Sequence, residues 1–493
     1  MKFRIFPSIG IARLGEDTNF FLCPERPGDD PGELKADGTV TPVTHFKNAT
    51  KTKIRKQGAR FHIFESEDGV SWRPANLPAS ATVKWTVTLE NKKSAVNRPD
   101  APSIAPVRPV VPDANQSMVI KGGTREINGP NAASTPFKGP YETTAPDGTP
   151  FKVDVELGQL RTDGQGRLIV LGGKGFSSAP ADVPLGVSFY RNPKWHDDVA
   201  DGPVTAKIQL SPTSTPVDAE GGAWVVVAPP DYAPALNCPV TLFDVLRQVG
   251  ISNSLLPMPG VPSFDLDIAP ILTRVRRLRW VHEDATWSDA RLDSPKLRSR
   301  AAVDKPLRTQ VRGLVRKVQT IFKGHISAGG LKYTLREFQN KILEDWVAGT
   351  FDDTPATPSA GLTDIGLTRA SLESAAGQGF CPGIEAGILV LDKALYATPF
   401  DFRINHSSIN AGDLTALMAQ PWQADFLECN TEWWPTQRPD VAPQAGGAKQ
   451  DWIRGANTHE LLVKRSGRLG LVVKQGADEI FLEVERDPTL PTV

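Results

Sequence analysis

Gly222-Ala-Trp-Val-Val-Val-Ala-Pro-Pro-Asp-Tyr-Ala-Pro-Ala-Leu-Asn-Cys-Pro-Val-Thr-Leu-Phe-Asp-Val-Leu-Arg-Gln-Val249 is the stretch in which the chain changes its period. Residues 222–228 form a continuous apolar, β-branched run closed by prolines, the pattern of a buried strand, whereas 240–249 carries the period of an amphipathic helix. Upstream, residues 81–90 (Ala-Thr-Val-Lys-Trp-Thr-Val-Thr-Leu-Glu) alternate apolar and polar side chains as a half-buried strand does, and 166–171 is a further buried-strand candidate before a Gly-Gly turn. Downstream, 268–280 spaces its apolar residues helically with Pro270 in the first turn. The clearest helix is 334–347: Thr334 and Glu337 match a capping box, and Leu335, Phe338, Ile342, Leu343 and Trp346 share a face. Residues 351–366, rich in Asp, Thr, Pro, Ser and Gly, read as a loop, 367–440 as loop-rich backbone, and 469–473 with 479–485 as a closing hairpin. The Pro-rich piece 98–112 suits only a surface loop or an ordered excursion. The expected fold is α+β: a β-rich N-terminal domain over 1–235, a helical middle over 236–350, and a loop-rich C-terminal domain over 351–493. With no long flexible linker and no internal repeat, these should form one compact unit.

Composition narrows the function. The 56 basic residues balance 56 acidic ones, so no global field draws the chain to nucleic acid or to an anionic membrane. No run approaches the length of a membrane span, and the first residues lack the apolar core of a signal peptide. Cytoplasm is the default location, with export without a cleaved signal left open. Cys23, Cys238, Cys381 and Cys429 have no paired metal spacing and are too sparse for a disulfide framework. The 42 Gly and 43 Pro predict many turns, with extended structure outweighing helix.

Oxidisable side chains concentrate in Pro421-Trp-Gln-Ala-Asp-Phe-Leu-Glu-Cys-Asn-Thr-Glu-Trp-Trp-Pro-Thr-Gln-Arg-Pro-Asp440, which holds three of eleven Trp and one of four Cys. Core packing accounts for such residues as readily as chemistry does. The Pro-Trp-Gln-x-Asp-Phe-x-x-Cys and Trp-Trp-Pro-x-Gln-Arg-Pro-Asp runs of this stretch, however, resemble the signature of the lysine ε-oxidase/glycine oxidase (LodA/GoxA-like) family of cysteine tryptophylquinone-dependent oxidases. Ile5-Phe-Pro-Ser-Ile-Gly-Ile-Ala-Arg-Leu-Gly15 is similar to the family's opening. Ser263-Phe-Asp-Leu-Asp-Ile-Ala-Pro-Ile-Leu-Thr-Arg274 with Arg279-Trp-Val281 resembles its middle, and Phe380-Cys-Pro-Gly-Ile-Glu385 a later loop.

The resemblance implies an amino-acid or primary-amine oxidase that uses oxygen and yields an aldehyde or keto acid, ammonia and hydrogen peroxide. Its cofactor would be a cysteine tryptophylquinone built from the chain's own Cys and Trp. A flavoprotein partner that hydroxylates the Trp during maturation, and a homo-oligomer, are implied as well. Asp425 and Cys429 lie one helical turn apart; by resemblance Asp425 takes the substrate proton and Cys429 forms the thioether. Asp425 serving as a cap, or pairing with an arginine such as Arg438, is the structural alternative. The family's quinone tryptophan sits in a Trp-x-x-Leu-Gly context. Here Ser466 precedes Leu469-Gly470, and a serine cannot become a quinone. Trp452, the nearest downstream indole, is the candidate substitute, since Trp433 and Trp434 belong to the structural Trp-Trp-Pro run. His325 and Glu385 are candidate pocket residues, as are Trp422 and Ser466. The competing reading is a family scaffold that has lost the quinone and binds ligands or performs other chemistry in the same pocket.

Other patterns carry less. Gly172-Gly-Lys-Gly175 lacks the longer frame of a phosphate loop. Trp195-His-Asp-Asp-Val-Ala-Asp-Gly202 suits a metal site, but its Asp-Gly-Pro ending favours a solvated turn. Arg274, Arg276, Arg277 and Arg279 read as a solvated basic face, His282 and His406 as hydrogen-bonded structural residues, and neither a nucleophile elbow nor a His-Glu-x-x-His zinc motif appears.

Overall fold

The computed structural model describes residues 1–96, 117–186, 192–318, 335–357, 361–377, 385–428, 435–476 and 479–491. Its N-terminal half is one large mixed sheet. The main path runs Phe137–Thr144, Pro150–Thr162, Leu168–Gly172, Lys56–Ser66, Ile9–Arg13, Ala223–Ala228, Ala200–Gln209, Thr82–Asn91, Ile120–Asn128. Neighbours pair antiparallel except at the centre, where Ala223–Ala228 runs parallel to Ile9–Arg13. Both central strands are buried along their whole length, which is why 222–228 reads as an unbroken apolar run rather than an alternating one. The sheet curls until its two ends meet: a Cβ at Gly139 would stand 2.4 Å from the Lys121 carbonyl oxygen, an approach only glycine permits.

The change of period falls where the sequence places it. Leu242–Ser252 is helical and opens on a capping box in which Thr241 and Asp244 satisfy each other's backbone amides. Ala269–Arg277 follows, with Pro270 in its first turn, and Leu471–Lys474 pairs with Phe481–Val484 as the closing hairpin. A single hydrophobic cluster runs from Phe3 to Leu490 through sheet, helices and C-terminal part, so the α+β chain packs as one unit. No helix among the described residues is long and apolar enough to cross a membrane.

Four expectations need correction. The helix expected from Thr334 is Glu337–Ala348, and the Arg336 amide at its start donates to Gln339 Oε1 at 2.9 Å; Thr334, and with it the expected capping box, lies outside the described residues, as does the 98–112 segment. Residues 364–373, split between a loop and loop-rich backbone in the sequence reading, form the helix Asp364–Glu373. It escapes periodicity because it buries hydroxyls: Thr368 and Ser371 accept hydrogen bonds from the Ser8 and Ile11 amides, each 3.1 Å, on the central strand's side. The four arginines are not one solvated face. Arg274 is buried between Asp244 (2.9 Å) and Glu373 (2.6 Å), whereas Arg276 and Arg279 reach Glu479 and Asp293 at the surface. Nor is 195–202 a solvated turn: His196, Asp197, Asp198 and Asp201 are all buried, and Asp201 lies in the Ala200–Gln209 strand. Its carboxylate accepts from the Trp224 indole (2.9 Å), the Thr415 amide (2.8 Å) and the Thr415 hydroxyl (2.6 Å), partners that no local pattern reveals.

Candidate active site

The helix Trp422–Glu428 carries Asp425 and is fixed to the sheet at its first turn. The Trp422 amide donates to Asp197 Oδ2 at 2.9 Å, and Asp197 is in turn paired with the buried Lys93 and accepts from Asn91 (3.1 Å). Gln423 accepts from the Ser177 hydroxyl at 2.7 Å and donates to the Gly175 carbonyl at 3.2 Å. A carboxylate at an orphan N-terminal amide suits both the unpaired N–H and the helix dipole. Asp197 and Lys93 therefore orient the candidate catalytic helix, a role hidden in the sequence because 195–202 looks like a turn.

An aromatic series runs inward from this helix. Trp422 meets Phe426 edge-on at 5.1 Å between centroids, Phe426 meets Tyr232 at 5.8 Å, and Tyr232 meets Trp452 at 4.7 Å. Arg438 closes the series, its guanidinium 5.6 Å above the Trp452 ring and its Nε donating to the Phe426 carbonyl. Trp452 is fully buried, and its indole N–H donates to the Gly470 carbonyl at 2.8 Å. The Tyr232 hydroxyl donates to the carbonyl of Ser466, itself buried, at 3.0 Å. Asp425 is 3% exposed. Trp422 is 2% exposed, and its indole Nε1 has no hydrogen-bond partner among the described residues.

Trp422, Asp425, Trp452 and Ser466 thus belong to one neighbourhood. Cys429 and His325 lie outside the described residues, as do Trp433 and Trp434. Glu385 is the buried partner of Arg13, whose Nη1 is 3.0 Å from both carboxylate oxygens. Arg13 also donates to the Pro229 (2.9 Å) and Ser374 (2.7 Å) carbonyls and lies 4.0 Å from Asp231. Sequence reasoning missed Tyr232 and Arg13. Tyr232 stands between the two periodic segments of the 222–249 stretch, and Arg13 is the one charged residue in the apolar 5–15 opening.

Burial leaves a pH signature. It pushes the carboxyls of Asp198 and Asp231 up to about 7 and that of Asp201 to about 6, and the imidazole of His196 down to about 4. A carboxyl with a raised folded value binds its proton better when folded. Its contribution to stability is complete below the unfolded value and is lost as pH rises through the folded one. His196 acts oppositely, losing stability as pH falls from its ordinary value toward 4. Lys47, whose ammonium burial pushes down to about 7, also gains stability as pH rises past that value, but the three carboxyls outweigh it and His196, so the thermal midpoint is expected to be higher near pH 5.5 than near pH 7.5. Calorimetry at the two pH values checks this; an equal or lower midpoint at the acid value contradicts it.

Comparison with known proteins gives this geometry its context. The family model for the L-lysine epsilon oxidase N-terminal domain matches residues 6–227, and that for the C-terminal domain matches 332–452, so the pair spans most of the chain in order. L-lysine 6-oxidase of Marinomonas mediterranea is 28% identical over 90% of this chain and 73% of its own length. The crystal structure of the L-Lys epsilon-oxidase from Marinomonas mediterranea superposes with a TM-score of 0.77 at 23% identity, covering 98% of this chain and 95% of the other. The structure of its Schiff base intermediate with L-Lys matches equally well, with a TM-score of 0.77. The curled sheet, the Asp425 helix and the matched N- and C-terminal models together make this chain a member of the L-lysine ε-oxidase family.

Proposed function

We propose that the protein is an amino-acid oxidase that deaminates a primary amine with oxygen, releasing an aldehyde or keto acid, ammonia and hydrogen peroxide. The observation that carries the reading is the C-terminal family match, which runs through Asp425 to Trp452. The described residues fit a protein-derived quinone in one respect: Trp452 is an indole enclosed within the aromatic series that begins at the Asp425 helix. Ser466 offers no ring. When formed from Cys429 and Trp452, a cysteine tryptophylquinone supplies an electrophilic carbonyl and a two-electron sink. Asp425, shielded from water, takes the proton from the carbon that bears the amine. The Trp422 N–H, without a partner among the described residues, would hold an acceptor oxygen of the substrate, and Tyr232 and Arg438 pack against the Trp452 ring. A flavoprotein that hydroxylates the indole and a homo-oligomeric state belong to the same proposal, with a small amine or amino acid as substrate.

A second reading rests on Ser466, buried with its carbonyl held by Tyr232: a scaffold without quinone, binding ligands in the same pocket. Intact mass separates the two. Co-expressed with a compatible flavoprotein, the chain is expected to gain two oxygens and lose four hydrogens, to absorb visible light, and to yield a cross-linked peptide joining Cys429 to Trp452. A colourless chain of unmodified mass under those conditions favours the scaffold; Ser466→Trp is then the change expected to restore colour.

A further inference from the structure

A cleft of about 300 Å³ opens over the 174–178 loop, on the sheet side of the residues that hold the Asp425 helix. The loop continues from the Gly172-Gly-Lys-Gly175 stretch at the end of the Leu168–Gly172 strand, and its backbone does cradle an anion, one the chain supplies itself. Asp198 Oδ2 accepts from the amides of Lys174 (2.6 Å), Gly175 (2.8 Å) and Phe176 (3.3 Å). The other oxygen, Oδ1, is buried in a residue only 2% exposed and has no partner among the described residues. A buried carboxylate oxygen left unpaired carries the full cost of its lost hydration, and this one belongs to a residue that lines the cleft.

The rest of the lining says what would relieve that cost. Asp154 and Glu156 add negative charge from the Pro150–Thr162 strand, and Lys138 and Lys174 stand beside them, with Lys174 3.3 Å from Glu156. Phe176 is 60% exposed, an aromatic face available to a cation. His196, stacked on Tyr141 at 4.5 Å and driven to its neutral form by burial, supplies no charge. No three metal-capable side chains converge among the described residues, so a bare metal ion does not suit the lining. The volume is that of a small-molecule site. We infer that this cleft binds a small zwitterion, its cationic nitrogen on Asp198 Oδ1 and its carboxylate toward Lys138 and Lys174. Occupancy would press on the loop that holds Gln423 and on the neighbour of Asp197, and so on the first turn of the Asp425 helix.

Guanidinoacetate is a suitable probe because it has both charges but no primary amine for an oxidase to consume. Binding therefore stands or falls independently of the activity proposed above. Calorimetric titration of the full chain is expected to show saturable one-to-one binding of guanidinoacetate. Ureidoacetate, its isostere with a neutral head, and methylguanidinium, which lacks the carboxylate, should each bind roughly tenfold more weakly or less well still. Asp198→Asn keeps an oxygen for the three loop amides and turns an NH2 toward the ligand; it should weaken guanidinoacetate by roughly tenfold or more. If that variant fails to fold, Glu156→Gln on the partly exposed wall should still weaken binding severalfold. Absence of saturable binding, equal affinity for ureidoacetate, or unchanged affinity in the variant that folds would each overturn the inference.

Discussion

Asp425→Asn is expected to lower turnover roughly thousandfold, the range lost when a positioned general base is removed, with oxygen uptake and peroxide release as the readouts. The carboxylate is buried on a short helix whose first turn is held by Asp197, so an isosteric amide keeps the packing and removes only the proton acceptor. The visible spectrum of the variant divides the role further. Colour retained with activity lost assigns Asp425 to proton abstraction, and colour lost assigns it to maturation of the quinone. Activity within a few-fold of the parent would remove Asp425 from the mechanism altogether.

Arg13→Ala should produce the largest loss of stability, about 3–5 kcal/mol, because it strands buried charge. Glu385 would lose its only cation within 4.0 Å among the described residues, Asp231 would lose the positive charge that opposes its burial, and two buried carbonyls would lose a donor. Burial already raises the Glu385 and Asp231 carboxyls above their ordinary values despite Arg13. Without the guanidinium they rise further, so the deficit should shrink as the pH falls and both groups take up protons. The double variant Arg13→Met/Glu385→Leu removes the charge together with its partner and should recover part of the loss. Urea midpoints across pH measure all of this; a deficit for Arg13→Ala below about 1 kcal/mol would mean that the site relaxes or hydrates and that the ion pair is not a keystone of the fold.

The two central strands and the helices at 242–252 and 269–277 are legible because each announces itself within a dozen residues, through an apolar run, a helical period or a cap. The helix 364–373 is not legible, since it packs hydroxyls where a period-seeking reading expects aliphatic side chains. The candidate site divides along the same line. Asp425 and its spacing to Cys429 stand out in one short stretch, and Trp452 is simply the next indole. Nothing near 425 points to Tyr232, Arg13 or Lys93.

By itself the sequence determined the order of the family's motifs, the change from strand to helix near residue 235, and the place of Asp425 on a helical turn. These depend on residues within a few positions of one another. Only the tertiary structure decided which carboxylates are buried and what holds them. The partner of Asp197 is Lys93, 104 residues away, and the amide it caps belongs to Trp422, 225 residues away. An Asp-rich run ending in Asp-Gly-Pro looks like a solvated turn until such partners arrive, because a buried carboxylate is tolerated only where donors from elsewhere in the chain replace its water.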